Sequence, residues 1–207
     1  MKIKRTANAG ILLELDGKKI LLDGVCDEFS PYLGTPDDIR TELSANYPDV
    51  VAFTHMHPDH YVKRYADNYT KDTLRSCIGP ECQSVNISAG IDLHAVDTRH
   101  IGKTEISHVS YVITGTKCVW FMGDASPLEI RKLEGYPKPD VLVVPYAFAL
   151  TPSAWRMTKA LGAEKIIILH MPKRESDPYD LWSAVEATMQ DEAGVYIPDI
   201  GQTIFLN

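Results

Sequence analysis

The stretch Thr54-His55-Met56-His57-Pro58-Asp59-His60 sets three imidazoles and a carboxylate side by side. Neutral imidazole nitrogen and carboxylate oxygen are ligands for zinc, manganese or iron, so the chemistry these residues suggest is the binding of divalent metal. The preceding Asp49-Val50-Val51-Ala52-Phe53 is short, apolar and β-branched, which predicts a buried strand. If the chain stays extended past it, His55 and His57 point the same way, because strand side chains repeat every two residues. Pro58 disfavours helix at His57, and its own fixed φ suits a first helical position. Asp59 and His60 then fall in a first helical turn, where negative charge is favourable. One loop thereby presents two faces, His55/His57 and Asp59/His60, to two adjacent ions.

The elements that must position such a site can be read along the chain. Residues 2 to 24 form a β-meander, with Ile11–Leu15 and Lys19–Asp23 flanking the turn signal Asp16-Gly17. Cys26 to Gly34 is an irregular loop carrying Phe29 and Tyr32, which could line the mouth of a site. Thr35 reads as a helix N-cap with Pro36 at the first helical position, and Tyr47-Pro48 closes that helix. A short helical stretch follows around Tyr61 to Tyr65. Cys77 to Pro80 then reads as a short strand, and Glu81 to Ser88 as helix. Ile91–Val96 alternates as a strand running into Asp97-Thr98-Arg99-His100. His108–Ile113 pairs with Cys118–Phe121 across Gly115-Thr116-Lys117 and leads into Met122-Gly123-Asp124. An aspartate after a buried strand is often a helix cap, but Ser126 suits that role better, ahead of a helix over Leu128–Leu133.

The last third is βαβα. Asp140–Pro145 is a buried strand ending at Tyr146, and Pro152–Leu161 is a helix. Lys165–Leu169 is a second buried strand that delivers His170 at its carboxyl end, where α/β sheets bind ligands. Pro178–Met189 is a closing amphipathic helix, and Tyr196-Ile197 and Thr203–Leu206 complete the sheet. His94 lies mid-strand and reads as structural.

A His-x-His-x-Asp-His run after a hydrophobic strand resembles the signature of the metallo-β-lactamase superfamily of metal-dependent hydrolases. The resemblance spans most of the chain and implies an α/β fold, a four-layer αββα sandwich formed by residues 1–207 as one domain. It implies His55, His57 and His100 on one divalent ion, Asp59, His60 and His170 on the other, and Asp124 between them. His108 competes with His100 for the third histidine; His100 is preferred because it stands at a strand exit. Asp23 corresponds to an aspartate that commonly lies beneath the metal loop, although a turn residue is an equal reading. The implied chemistry is attack by a hydroxide bridging two metals, zinc first among them with manganese or iron as alternatives. Asp59 would accept or return a proton, and Tyr146 would either pack or donate a hydrogen bond to an oxyanion. Among relatives the chain looks most like small stand-alone members related to ascorbate-phosphate lactonase. Ester, lactone or phosphodiester hydrolysis is therefore expected. A metal-binding sensor or scaffold, or a redox di-iron enzyme, is the alternative.

Composition narrows the partners. The 207 residues carry 28 acidic and 21 basic side chains, a net charge of -7. That argues against a broad nucleic-acid footprint, which needs a basic face; Lys63-Arg64 and Lys173-Arg174 read as solvated surface. A small-molecule substrate is expected, and oligomeric state is unreadable. No apolar leader or membrane-length apolar run is present, so a cytoplasmic location is expected. The four cysteines are scattered, without a CxxC, and read as reduced thiols. Cys77 and Cys82 are near each other but have no further ligands beside them.

Overall fold

The computed structural model describes residues 1–81, 84–102, 105–190 and 192–206. Three strands, β1 (Lys2–Arg5), β2 (Ile11–Leu15) and β3 (Lys18–Leu22), form the expected meander. Helix α1 (Asp37–Ala45) leads to β4 (Val50–Ala52), and α2 (Lys63–Thr73) follows the histidine-rich loop. Strands β5 (Ser84–Ser88), β6 (Ile91–Asp97), β7 (Val109–Thr114) and β8 (Cys118–Phe121) form an antiparallel run. A 3-10 segment, Pro127–Leu133, leads to β9 (Val141–Pro145), α3 (Pro152–Ala160), β10 (Lys165–Leu169) and α4 (Leu181–Met189). Strands β11 (Val195–Tyr196) and β12 (Thr203–Phe205) end the described chain.

Two sheets result, with strand orders β12-β1-β2-β3-β4 and β11-β10-β9-β8-β7-β6-β5. Side-chain alternation explains why they stack. Ile11, Leu13 and Leu15 enter the core between the sheets, where they join Tyr111, Ile113, Val119, Phe121, Val143 and Ile167. The opposite faces are apolar too, and each needs a cover. Leu12, Leu21 and Val51 pack with Ile39 and Leu43 of α1 and Tyr65 and Tyr69 of α2. On the far side Val112, Trp120, Leu142 and Ile168 pack with Trp155 of α3 and Val185 of α4. The outcome is the helix–sheet–sheet–helix sandwich the resemblance implies.

Several local expectations are corrected. Residues 84–88 form β5, paired antiparallel with β6, where a helix was expected over 81–88. Pairing with a long neighbouring strand outweighs the weak helical pattern of that segment. Residues 82 and 83 lie outside the described residues, and with them the Cys77–Cys82 pair. Ile78 makes only an isolated bridge to Ala52. Pro58 opens no helix: 58–60 is a single turn, with the His60 and Tyr61 amides donating to the His57 carbonyl. The helix expected at Tyr61–Tyr65 instead runs from Lys63 to Thr73. Thr35 does not cap α1; its hydroxyl accepts from the Cys26 amide, and Pro36 occupies the N-cap position. Ser126 holds the N-cap position of its 3-10 segment without a side-chain cap, its hydroxyl instead accepting from Arg99. The last helix begins at Leu181, three residues later than Pro178. Among the described residues no helix is long and apolar enough to cross a membrane.

The two sheets are tied together directly beneath the histidine-rich loop. The Tyr111 hydroxyl of β7 donates to the Phe53 carbonyl at 2.8 Å, and the Val109 amide donates to the Thr54 carbonyl at 3.0 Å. Tyr111 is buried completely. Tyr111→Phe keeps the packing and removes one buried hydrogen bond, so urea denaturation should show a loss of about 1 kcal/mol with an unchanged m-value.

Candidate metal centre

The candidate residues gather where strands end. Asp23 follows β3, the 54–60 loop follows β4, His100 lies beyond β6, Asp124 beyond β8 and His170 directly after β10. His55 Nε2 lies 3.0 Å from His57 Nδ1, and these two with His100 bring one ring nitrogen each to within 4.8 Å of one another. Asp59, His60 and His170 form a second group on the same criterion. Asp124 stands between the two. Its Oδ2 is 4.0 Å from His55 Nε2 and 3.6 Å from His100 Nε2. On the other side it is 3.4 Å from His60 Nε2 and 3.3 Å from His170 Nε2.

For His55, His60 and His100 the second ring nitrogen has a partner in the protein, which turns the first one inward. His60 Nδ1 donates to Asp23 Oδ2 at 2.8 Å, and His100 Nδ1 to the Ile101 carbonyl at 2.7 Å. The Thr54 hydroxyl is 3.0 Å from His55 Nδ1 and 2.6 Å from Asp23 Oδ2, while the Thr54 amide donates to Asp23 Oδ1 at 2.7 Å. Asp23 also lies near His55 and His60 as a possible ligand group. Both of its oxygens are already engaged, so its place is behind the rings rather than among them.

His108 is placed differently from His100. Its Nε2 accepts the backbone amide of Asp124 at 3.0 Å, and its Nδ1 is 2.9 Å from the Thr98 hydroxyl. Both nitrogens are spent, and what His108 holds is the carboxylate between the two groups. Tyr146 follows β9, and its ring centroid is 6.3 Å from that of His170; the Tyr32 ring meets His170 edge-on at 4.3 Å. These two tyrosines, with Phe29, Asp59, Asp124 and His170, line a cavity of about 210 Å³. His57 also borders a larger cavity of about 830 Å³, lined further by Met56, Pro80 and Ile106. His94 packs against Tyr136 instead, at 5.5 Å between ring centroids.

Two supporting residues escape sequence reasoning. Thr54 adjoins the histidines, yet nothing in its type reveals that it links Asp23 to His55. Asn8 is 51 positions from Asp59, and its amide donates to Asp59 Oδ2 at 3.4 Å. Only the tertiary fold joins them. Gly123 also has a reason to be glycine: its φ is +54°, and a Cβ there would fall 2.6 Å from Thr54 Cγ2.

The donor set fits divalent metal. Among the described residues the Nε2 atoms of His60, His100 and His170 and Oδ1 of Asp124 are buried without a well-formed hydrogen bond, the rings meeting Asp124 Oδ2 only as charge neighbours at 3.4, 3.6 and 3.3 Å. Orphaned buried polar atoms are costly, and their concentration in one nitrogen- and oxygen-lined space is what cations would relieve. Electrostatics agree. Burial alone would raise Asp124, but His170 and His60 hold it well below the carboxylate range. Burial alone would lower the two imidazoles, yet Asp124 and their other carboxylate partners lift His60 well above its ordinary value and His170 to about 9. Burial drives His55 down and His108 to about 3. Without metal, protons therefore sit where cations would.

The sign of the pH dependence follows. His170 rises from 6.5 to about 9, so its pairing stabilises the metal-free fold fully below pH 6.5. That contribution is lost as pH climbs through about 9. Metal must displace these protons. Calorimetric titration at pH 7.5 with zinc, in buffers of different ionisation enthalpy, should show net proton release, with affinity rising towards pH 9. The melting temperature of metal-free protein should fall over the same interval.

No curated protein matches the chain in sequence. Solved structures resemble it in fold. A possible metal-dependent hydrolase from Veillonella parvula is 17% identical, with a TM-score of 0.73 over 100% of this chain and 99% of that one. An isothiocyanate hydrolase from Delia radicum gut bacteria is 18% identical, with a TM-score of 0.71 and the same coverage. A diiron β-hydroxylase from Streptomyces venezuelae is 14% identical, with a TM-score of 0.63 over 99% of this chain and 54% of that one. At these identities the likeness is one of fold. The family model for the β-lactamase superfamily domain matches residues 2–170, most of the sequence and every candidate ligand, and the chain belongs to that superfamily.

Proposed function

We propose that the protein is a metal-dependent hydrolase that cleaves an ester, lactone or phosphodiester bond of a small molecule at a centre of two divalent ions, zinc first among the candidates. His55, His57 and His100 would hold one ion, Asp59, His60 and His170 the other, with Asp124 shared. The observation that carries this reading is the set of orphaned buried atoms on His60, His100, His170 and Asp124. Bound there, such ions supply Lewis acidity and bring the pKa of a shared water towards neutrality.

The remaining roles belong to the chain. Burial would raise the Asp59 carboxyl, but His170 and His60 bring it below its ordinary value, so it is ionised at neutral pH and able to take a proton. Tyr146 and Tyr32 stand at the wall of the smaller cavity, where a phenolic hydroxyl can donate to a developing oxyanion. That cavity, about 210 Å³, suits the reacting part of a small substrate, and the larger one that His57 also borders leaves room for an extended arm. A cytoplasmic setting is part of this reading.

Two ions per chain by elemental analysis, with chelator-sensitive turnover of a lactone, a thioester or bis-p-nitrophenyl phosphate, is the expected result. Two ions without turnover on a broad panel would make the protein a metal-binding scaffold. Iron on purification with visible absorbance would instead favour redox chemistry, which a related fold supports in the diiron hydroxylase. Asp59→Asn should lower kcat about a hundredfold or more, and full turnover with both ions retained would remove Asp59 from proton transfer.

A further inference from the structure

Asn8 takes no part in the chemistry above, yet it is completely buried and touches two candidate ligands of the same ion. We propose that Asn8 is a positioning residue for the second ion alone, aiming Asp59 and His170, an inference that rests on the two-ion reading. Its Nδ2 donates to Asp59 Oδ2 at 3.4 Å, and its backbone carbonyl accepts the His170 amide at 3.3 Å. Both ligands need such an anchor. Asp59 sits in a single turn rather than a helix, and His170 has a left-handed φ of +63°, a conformation that persists only where its surroundings impose it.

The loop that carries Asn8 is itself clamped. Arg5 is buried and spends its guanidinium on backbone carbonyls: Ala7 at 3.0 Å, Asn8 at 2.9 Å and Pro198 at 2.8 Å. Gly10 lies so close to the Asp23 backbone that a Cβ there would come 2.1 Å from the Asp23 carbonyl oxygen. Asn8 is therefore presented from a rigid base, as a supporting residue must be if it is to fix a ligand's direction. Among the described residues no hydrogen bond runs from residues 6–10 to His55, His57 or His100. This asymmetry separates a positioning role from general support of the fold.

The test is zinc titration of the full-length, metal-stripped protein against a chromophoric chelator, comparing wild type with Asn8→Ala, Asn8→Leu and Asp59→Ala. Both Asn8 variants keep the backbone contacts to Arg5 and His170, and leucine fills nearly the space of asparagine, guarding against collapse of the alanine variant. Second-ion affinity should fall about tenfold or more in both while the first ion binds as in wild type. Equal weakening of both ions would make Asn8 merely structural and overturn the proposal. Wild-type loading of both Asn8 variants, with Asp59→Ala losing its second ion, would overturn it and leave the two-ion reading standing. If wild type itself takes up a single ion, the two-ion reading fails; if Asp59→Ala loads both ions normally, Asp59 is no ligand of the second ion and the proposal falls with it.

Discussion

The carboxylate of Asp23 is buried completely and is engaged by the Thr54 amide, the Thr54 hydroxyl and His60 Nδ1. A buried charge persists only when hydrogen bonds replace the water it has lost, and here each replacement also aims part of the centre. The bond to His60 turns that ring's Nε2 inward. The bonds to Thr54 fix the start of the histidine-rich loop, and through the Thr54 hydroxyl they reach His55. Asp23 itself adopts a left-handed φ of +47°, an unfavourable conformation for a residue other than glycine. That conformation is sustained because the surrounding hydrogen bonds need the carboxylate where it is.

The same logic repeats around the centre. An imidazole that offers a lone pair inward carries its proton on the other nitrogen, and a protein partner there fixes both tautomer and ring direction. His100 uses the neighbouring Ile101 carbonyl, and His108, with both nitrogens occupied, holds the Asp124 amide. Asp124 is consequently fixed from behind by a histidine that is lowered to about 3 through burial and so stays neutral. A protonated His108 could not accept that amide. Burial, often a penalty for polar groups, here keeps one imidazole in the state that its hydrogen bond requires.

The two-sheet architecture makes these arrangements possible. Strand ends from both sheets converge on one edge, and the Tyr111–Phe53 and Val109–Thr54 hydrogen bonds lock the loop of one sheet to a strand of the other. Glycine at 123 lets the Asp124 segment approach Thr54. Residues far apart in the chain thus share one small volume, and His57 borders two cavities beside it.

How much of this was legible in the residues alone depended on the range of the interaction. Strand and core patterns are local, and alternation in Ile11–Leu15 or the apolar run Val141–Pro145 announced itself. The run His55 to His60 announced a metal-type cluster because residue chemistry and spacing suffice for that. The segment 84–88 departs from its weak helical pattern because strand pairing with β6 decides its conformation, and pairing is a tertiary fact. The turn at Pro58 stayed a turn for a similar reason: Asp59 and His60 are drawn to partners across the centre rather than continuing a helix. The sequence by itself determined which atoms could bind metal and which strands carry them. Only the tertiary structure decided that His100 faces His55 and His57 while His108 turns to Asp124, and that Asn8 reaches Asp59, because the direction of a side chain is set by partners that the chain order does not reveal.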